Sequence, residues 1–275
     1  MLSDLGFKHG IDSVSDWGRL AWTEAHLYYD LARRARRRRL RDRLLRRPLI
    51  SFSLREFEHM LERWSSVHGP PAGLLPANAA AELAPDDDLA REVEDYAFEQ
   101  IVICDHDQIA DVLVANGFHG ENRCVVLTFG GYPPHAFETL MPLLRRNPPA
   151  RVIAVHDADP EGCDLATRIA EDARWFGGID GIEVIDAGLR PADAKRFRGL
   201  FLAGSPADSP ASASQDEREW LGKFRLDLAA VRPRVLMGVL AHVIRHGIDG
   251  EQKRDSGPLG DDGGLWVGSD DDDPG

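Results

Sequence analysis

Two aspartates separated by one residue follow directly on a short apolar run. Arg151-Val152-Ile153-Ala154-Val155 leads into His156-Asp157-Ala158-Asp159-Pro160-Glu161-Gly162. Carboxylates this close raise each other's pKa unless a cation compensates, and Mg²⁺ takes one or two carboxylates with water and phosphate completing its shell. Asp157 and Asp159 are therefore the first metal-ligand candidates. Asp-x-Asp and Asp-Pro also mark turns and helix N-caps, and Pro160 with Gly162 fits that plainer role equally well. Gly130 and Gly131 end the preceding apolar run, where glycine lets backbone N–H groups approach an anion before the next helix, or simply makes a turn. His106 and His156 lie at strand ends, placed to contact phosphate or act as a general acid, or to be ordinary satisfied polar residues. His242 and His246 have the i, i+4 spacing of metal ligands without a third ligand nearby and are read as a helix-face coincidence.

The elements that must hold these residues alternate. Strands are predicted at 101–104, 124–128, 151–156 and 183–186, and helices at 108–115, 135–144 and 163–173. Such alternation means a parallel sheet with helices on its faces, and ligands of such sheets bind beyond the carboxyl ends of the strands. Those ends are Cys104-Asp105, Thr128-Phe129-Gly130-Gly131 and His156-Asp157. Before the sheet, residues 16–47 read as one helix closed by Pro48. Ser53 and Glu56 form a capping-box pattern that opens a second, amphipathic helix through Phe57, Met60, Leu61 and Trp64. Residues 206–214 read as a loop, with helices following at 217–228 and 233–245.

Three motifs in order, Gly131-Tyr132-Pro133, Asp157-Ala158-Asp159-Pro160-Glu161-Gly162 and Gly188-Leu189-Arg190-Pro191-Ala192-Asp193, resemble the Toprim domain of the topoisomerase VI A subunit and its relative, the meiotic double-strand-break transesterase. The resemblance covers roughly a hundred residues. It implies a Toprim-like α/β fold, Mg²⁺ or alternatively Mn²⁺ held by Asp157 and Asp159, and phosphodiester cleavage or transfer on DNA. The family's glutamate at the end of its first strand falls on Cys104, and Asp105 would have to supply that carboxylate as third ligand. Successive strand residues face opposite sides, so the exchange requires a shifted turn. The family also carries a winged helix with a nucleophilic tyrosine before its Toprim domain, and His26-Leu27-Tyr28-Tyr29-Asp30 places Tyr29 at the matching position. A double tyrosine on an amphipathic helix is otherwise core packing with an interfacial hydroxyl.

The expected layout is a helical, winged-helix-like segment at 1–67, a linker at 68–92, the Toprim-like domain at 93–204, C-terminal helices at 205–247 and a disordered acidic tail at 248–275. The net charge of −13 argues against a protein that coats nucleic acid with its whole surface. The charge is uneven, however, with ten arginines in the fifteen residues from Arg33 to Arg47 and four consecutive aspartates at 270–273. The arginine block, Arg37 and Arg38 included, could clasp a duplex backbone through bidentate phosphate contacts, or pair with an acidic surface of a protein partner, a second copy or this chain's own tail. No apolar run reaches the ~20 residues that span a bilayer, no secretory leader is evident and the three cysteines make neither a disulfide framework nor a zinc knuckle, so the cytoplasm is the expected compartment. Two other readings compete with the metal-dependent enzyme. One is a catalytically degenerate Toprim-like scaffold or regulatory subunit; the other is a doubly wound domain binding a small phosphate ligand, with Asp157 merely capping a helix.

Overall fold

Ser3 opens the first ordered element by accepting a hydrogen bond from Gly6 N, and helix α1 (Asp4–Val14) follows with Phe7, Ile11 and Val14 on its buried face. The computed structural model describes residues 3–38, 48–82, 100–204, 210 and 212–247, the side chains of Arg37 and Arg38 excepted. Helix α2 spans Glu24–Arg38. It does not begin at residue 16 as the periodicity suggests, because Asp16 and Trp17 adopt left-handed backbone angles, φ 47° and 60°, that break a helix. Trp17 accordingly faces solvent, whereas Trp22 is fully buried. Helices α1 and α2 approach closely at Gly10, where a Cβ would stand 2.6 Å from Leu31 Cδ2. Helix α3 (Leu54–His68) carries the expected Ser53–Glu56 capping box.

The segment after α3 is pinned rather than loose over its described part, which ends in the short helix α4 (Ala79–Glu82). Trp22 donates its backbone N–H to Gly73 O and accepts from Leu75 N, so the proline-rich stretch runs beside the entry to α2. Residues 83–99, including the rest of the expected linker, lie outside the described residues.

Four parallel strands then form one sheet: β1 (Gln100–Cys104), β2 (Val125–Thr128), β3 (Arg151–Val155) and β4 (Glu183–Asp186), in the order β2-β1-β3-β4. All four agree with the predicted strands to within one residue at either end. Strands covered on both faces read as near-continuous apolar runs, and β1 to β3 do, whereas β4 at the sheet edge is partly exposed. Ile101, Ile103, Val125, Leu127, Val152 and Ala154 belong to one apolar cluster with Leu140, Met141, Leu144, Leu165, Ile169 and Trp175. Val102, Cys104, Val126, Ile153 and Val155 belong to the other, which takes in Ile109 and Leu113, the buried faces of α1 to α3 and the C-terminal helix. The chain is thus an α/β fold with helices on both faces of a parallel sheet.

Helix α5 (Asp107–Ala115), after β1, joins the second cluster. After the short helix α6 (Phe118–Asn122) and β2 come α7 (Pro134–Arg146) and, beyond β3, α8 (Leu165–Glu171), which both join the first. The chain therefore leaves β1 toward one face and β3 toward the other while the two strands lie side by side. Such a reversal opens a crevice beyond their carboxyl ends, the usual ligand position of open α/β sheets. Asp105 and Asp157 sit there.

Beyond β4 and the short helix α9 (Pro191–Ala194), helix α10 (Gln215–Leu221) is opened by a second capping box, Ser214 with Glu217. It stops at Gly222, short of the predicted end at 228. The residues that follow are needed as strand: β6 (Phe224–Arg225) pairs antiparallel with β5 (Leu202–Ala203), and Leu226 bridges Ala158 beside the site. Helix α11 (Pro233–His246) closes the described residues and receives a hydrogen bond from Gln100 Nε2 at Ile244 O. Among the described residues no helix is long and apolar enough to cross a membrane. The expected acidic tail lies outside them.

Candidate metal centre

Strand β1 ends at Cys104, whose buried side chain belongs to the second apolar cluster and whose thiol burial pushes far up, away from thiolate chemistry. The next residue carries the ladder one step further, Asp105 N donating to Val155 O at 3.0 Å. Its carboxylate turns across the strand gap, and Oδ2 accepts from Asp157 N at 2.7 Å. The turn after β1 thus brings the Asp105 carboxylate to Asp157.

Asp157 is held from the other side. Its Oδ1 accepts from Leu228 N at 2.6 Å, a contact made possible by the Ala158–Leu226 bridge that brings the C-terminal segment alongside. Its Oδ2 lies 3.1 Å from His106 Nε2, which is in turn 3.9 Å from Asp105 Oδ2. One donor atom from each of Asp105, His106 and Asp157 lies within 4.8 Å of the others. The carboxylates are largely enclosed and the imidazole covers their open side, with side chains 13%, 8% and 58% exposed for Asp105, Asp157 and His106.

The electrostatics have one theme, negative charge in excess. Burial and the neighbouring Asp157 charge push the Asp105 carboxyl up to about 7. The hydrogen bond that His106 donates to the Asp157 carboxylate, with the charges of both aspartates, outweighs desolvation and lifts His106 to about 10. Asp105 Oδ1 is buried without a hydrogen-bond partner. Two carboxylates, an imidazole and a spare buried carboxylate oxygen make a donor set that fits a divalent cation.

Compared with models of protein families, with curated proteins and with solved structures, the chain matches none.

Behind the carboxylates lies a buried clasp. His156 is fully enclosed, with Nδ1 2.7 Å from Asp157 O and Nε2 2.8 Å from Asp186 Oδ1. Burial works against the imidazolium, but the Asp186 hydrogen bond and charge and the Asp157 carbonyl outweigh it and raise the pKa. Two motif glycines make room for this ring. A Cβ on Gly188 would stand 2.0 Å from His156 Cδ2, and one on Gly162 2.5 Å from Asp157 O and 3.1 Å from His156 Nδ1. Arg190 completes the clasp, 3.1 Å from Asp186 and 3.3 Å from Glu217. The Asp157 and Gly188 motifs, 31 residues apart in sequence, are thus the two halves of one packing unit around His156.

Asp159 is half-buried and accepts from Gly162 N at 2.7 Å, a turn-closing bond; burial raises its carboxyl, and Asp157 adds to the rise. It stands near the Asp105, His106 and Asp157 group without belonging to it. Tyr29 is 1% exposed and donates its hydroxyl to Asp227 Oδ2 at 2.8 Å. Burial first, then the Asp227 charge and hydrogen bond and the Asp157 charge, raise its phenol far above the ordinary value. Asp227 precedes Leu228, so Tyr29 anchors the segment that grips Asp157.

At the end of β2, Gly131 has φ 90° and spends its N–H on Thr128 O, while Gly130 is exposed. Arg168 stacks its guanidinium 4.3 Å from the Phe129 ring centre beside these glycines. Of the arginine block, Arg33 and Arg34 turn inward to the buried Asp30, which Arg232 also meets at 3.0 Å, and Arg33 donates to Ala230 O. The side chains of Arg37 and Arg38, and residues 39–47, lie outside the described residues. The His242 and His246 rings meet at a tilt of 43°, centroids 4.7 Å apart, on α11.

Sequence reasoning weighed His106 as a phosphate or proton contact and missed it as a partner of Asp157. Its adjacency to Asp105 was the available signal. Leu228 and Asp227 carried none, because their roles depend on a contact between distant segments.

Proposed function

We propose that this chain is a Toprim-like protein that uses a divalent cation, Mg²⁺ or Mn²⁺, to cleave phosphodiesters of DNA in the cytoplasm. The observation that carries the reading is the convergence of Asp105 and Asp157 at the point where the sheet reverses its winding. The ordered Tyr132-Pro133, Asp157-x-Asp159 and Gly188-x-x-Pro191 motifs support the phosphodiester as substrate.

A bound dication supplies positive charge that neutralises and polarises a phosphodiester. The chain's own residues do the rest. Asp105 and Asp157 hold the cation, with His106 beside them. Leu228 N and the His156 clasp fix Asp157, and Asp159 shapes the turn on which Asp157 sits. Gly130, with Arg168 on Phe129, faces the substrate's phosphates, and the arginines beyond Arg36 contact the duplex backbone. The burial of Tyr29 favours hydrolysis by water over transfer to this tyrosine, since a phenol held protonated and enclosed is a poor nucleophile.

Supercoiled plasmid tests this. The wild type is expected to nick it in Mg²⁺ or Mn²⁺ and not in EDTA, and Asp157→Asn is expected to lose the activity. Metal-independent nicking, or full activity in Asp157→Asn, would contradict the reading.

A second reading, a non-catalytic scaffold subunit that pairs with another protein or a second copy, has one observation in its favour. Asp157 Oδ1 and Asp105 Oδ2 are each already engaged by a backbone amide, and His106 neutralises part of the charge. It predicts an inactive protein that binds no divalent cation.

A further inference from the structure

We propose that His106 is a direct ligand of this centre, and that its imidazole makes the site prefer a first-row transition-metal dication, with Mn²⁺ as the probe, over Mg²⁺. The inference rests on the metal-site reading above and goes beyond it in naming a nitrogen ligand and the cation class it selects.

Distances come first. Ligands around an octahedral ion with bonds near 2.1 Å stand about 3 Å apart when adjacent and about 4 Å when opposite. His106 Nε2 lies 3.1 Å from Asp157 Oδ2 and 3.9 Å from Asp105 Oδ2, the spacing of donors that share one ion. The three residues follow directly on two neighbouring strands, and backbone bonds at Asp105 N and Asp157 N fix the two aspartates relative to each other.

Without metal, His106 pairs with the Asp157 and Asp105 carboxylates, the same donors a cation would use. It occupies the N-cap of α5, yet its side chain makes no capping bond to the helix. A 58% exposed side chain at this place is free to extend into water; instead it bends back over two enclosed carboxylates. Asp105 Oδ1, the other oxygen of the same carboxylate, is a buried acceptor that neither His106 nor a backbone group fills.

The chemistry follows from the donor types. Mg²⁺ favours a shell of oxygens and retains several waters, whereas imidazole suits the transition-metal dications and raises their affinity relative to Mg²⁺. Asp159, which would have made an all-carboxylate set, closes its own turn instead. One imidazole therefore stands in the group where the sequence motif alone suggests a further carboxylate.

The test uses the full chain freed of metal. Mn²⁺ is titrated with its free ion followed by electron paramagnetic resonance, Mg²⁺ is measured by competition, and bound Mn²⁺ is examined by electron spin echo envelope modulation for ¹⁴N coupling. Mn²⁺ is expected to bind at least about tenfold more tightly than Mg²⁺ and to show imidazole ¹⁴N modulation. In His106→Ala the modulation disappears and the preference falls to about threefold or less, through weaker Mn²⁺ binding with Mg²⁺ little changed. The exposure of His106 lets this variant fold, and the wild-type spectrum stands as a test without it. Bound Mn²⁺ with no ¹⁴N coupling, or coupling and preference that survive in His106→Ala, overturns the ligand assignment and leaves the metal site standing. Failure of both ions to bind the wild type overturns the metal site as well.

Discussion

The Asp105 carboxylate accepts a hydrogen bond from the backbone N–H of Asp157 at 2.7 Å, which ties the ends of two adjacent parallel strands together at the crevice between them. That bond needs an acceptor, not a charge. Asp105→Asn keeps the acceptor and removes one of two neighbouring negative charges. Without metal it is expected to raise stability, on the order of 1–2 kcal/mol in urea unfolding, because it relieves a buried like-charge pair. With divalent cation present the order reverses, since only the wild type gains stability from binding. An Asn variant that is both less stable in EDTA and equally stabilised by metal would show that Asp105 is a structural cap alone.

Tyr29 and Asp227 give a second prediction. Tyr29→Phe removes a hydroxyl that donates to Asp227 at 2.8 Å and so loosens the segment leading to Leu228. A loss of about 1.5–3 kcal/mol is expected in thermal or urea unfolding, the usual value of a hydrogen bond to a charged group. Plasmid nicking should persist, reduced only as far as Leu228 releases Asp157. Complete loss of nicking in a stably folded Tyr29→Phe, with a covalent tyrosyl–DNA adduct in the wild type, would instead make Tyr29 the nucleophile.

The parts of this architecture set by local sequence were legible before any coordinates. β1 to β3 are apolar runs, β4 a short Val-Ile pair between acids, and Ser53 with Glu56 announces its helix start directly. Other features were harder. Helix α1 has Ser3 as cap and Phe7, Ile11 and Val14 at helical spacing, a signal that was present and passed over. The start of α2 was misplaced because Trp17, Leu20 and Ala21 continue the apolar period by coincidence, while left-handed angles at Asp16 and Trp17 end it. Within residues 222–228, which look helical in isolation, Phe224 to Leu226 are extended because β5 and Ala158 offer partners. At the site, the motif pointed to Asp157 and Asp159 with Asp105 as third ligand, whereas the structure groups Asp157 with Asp105 and His106 and uses Asp159 to close its own turn. Leu228 N on Asp157 and Asp227 on Tyr29 span 71 and 198 residues, so no local pattern encodes them.

Gly188 offers a test of the clasp. Its absent Cβ would fall 2.0 Å from a His156 ring that is fixed at both nitrogens and cannot move aside. Gly188→Ala should cost about 3 kcal/mol or more, an overpacking penalty with no relaxation route. Gly130→Ala is the control: its Cβ would meet only Thr128 Oγ1 at 3.6 Å, and a change within about 0.5 kcal/mol is expected. Comparable losses in urea unfolding of the two variants would refute the packing role given to His156.

His26 predicts a pH dependence away from the site. It is buried, and burial lowers its pKa from 6.5 to about 3. Between those values the unfolded chain takes up a proton that the folded chain refuses, so this contribution is complete above pH 6.5 and is lost as pH falls toward 3. From pH 7.5 to 5 the wild type should lose ~2 kcal/mol more stability than His26→Gln, at about 1.4 kcal/mol per pH unit below the unfolded value. Unfolding free energies measured at the two pH values check it, and parallel pH profiles would contradict it.

The central claim is that Asp105 and Asp157 together hold a divalent cation, and calorimetric titration addresses it most directly. Mn²⁺ and Mg²⁺ are titrated in turn into the metal-free full chain and into the isosteric double variant Asp105→Asn with Asp157→Asn. The account predicts saturable binding to a single site in the wild type and none in the folded double variant. A flat wild-type titration with both ions, or binding that the double variant retains unchanged, would contradict it.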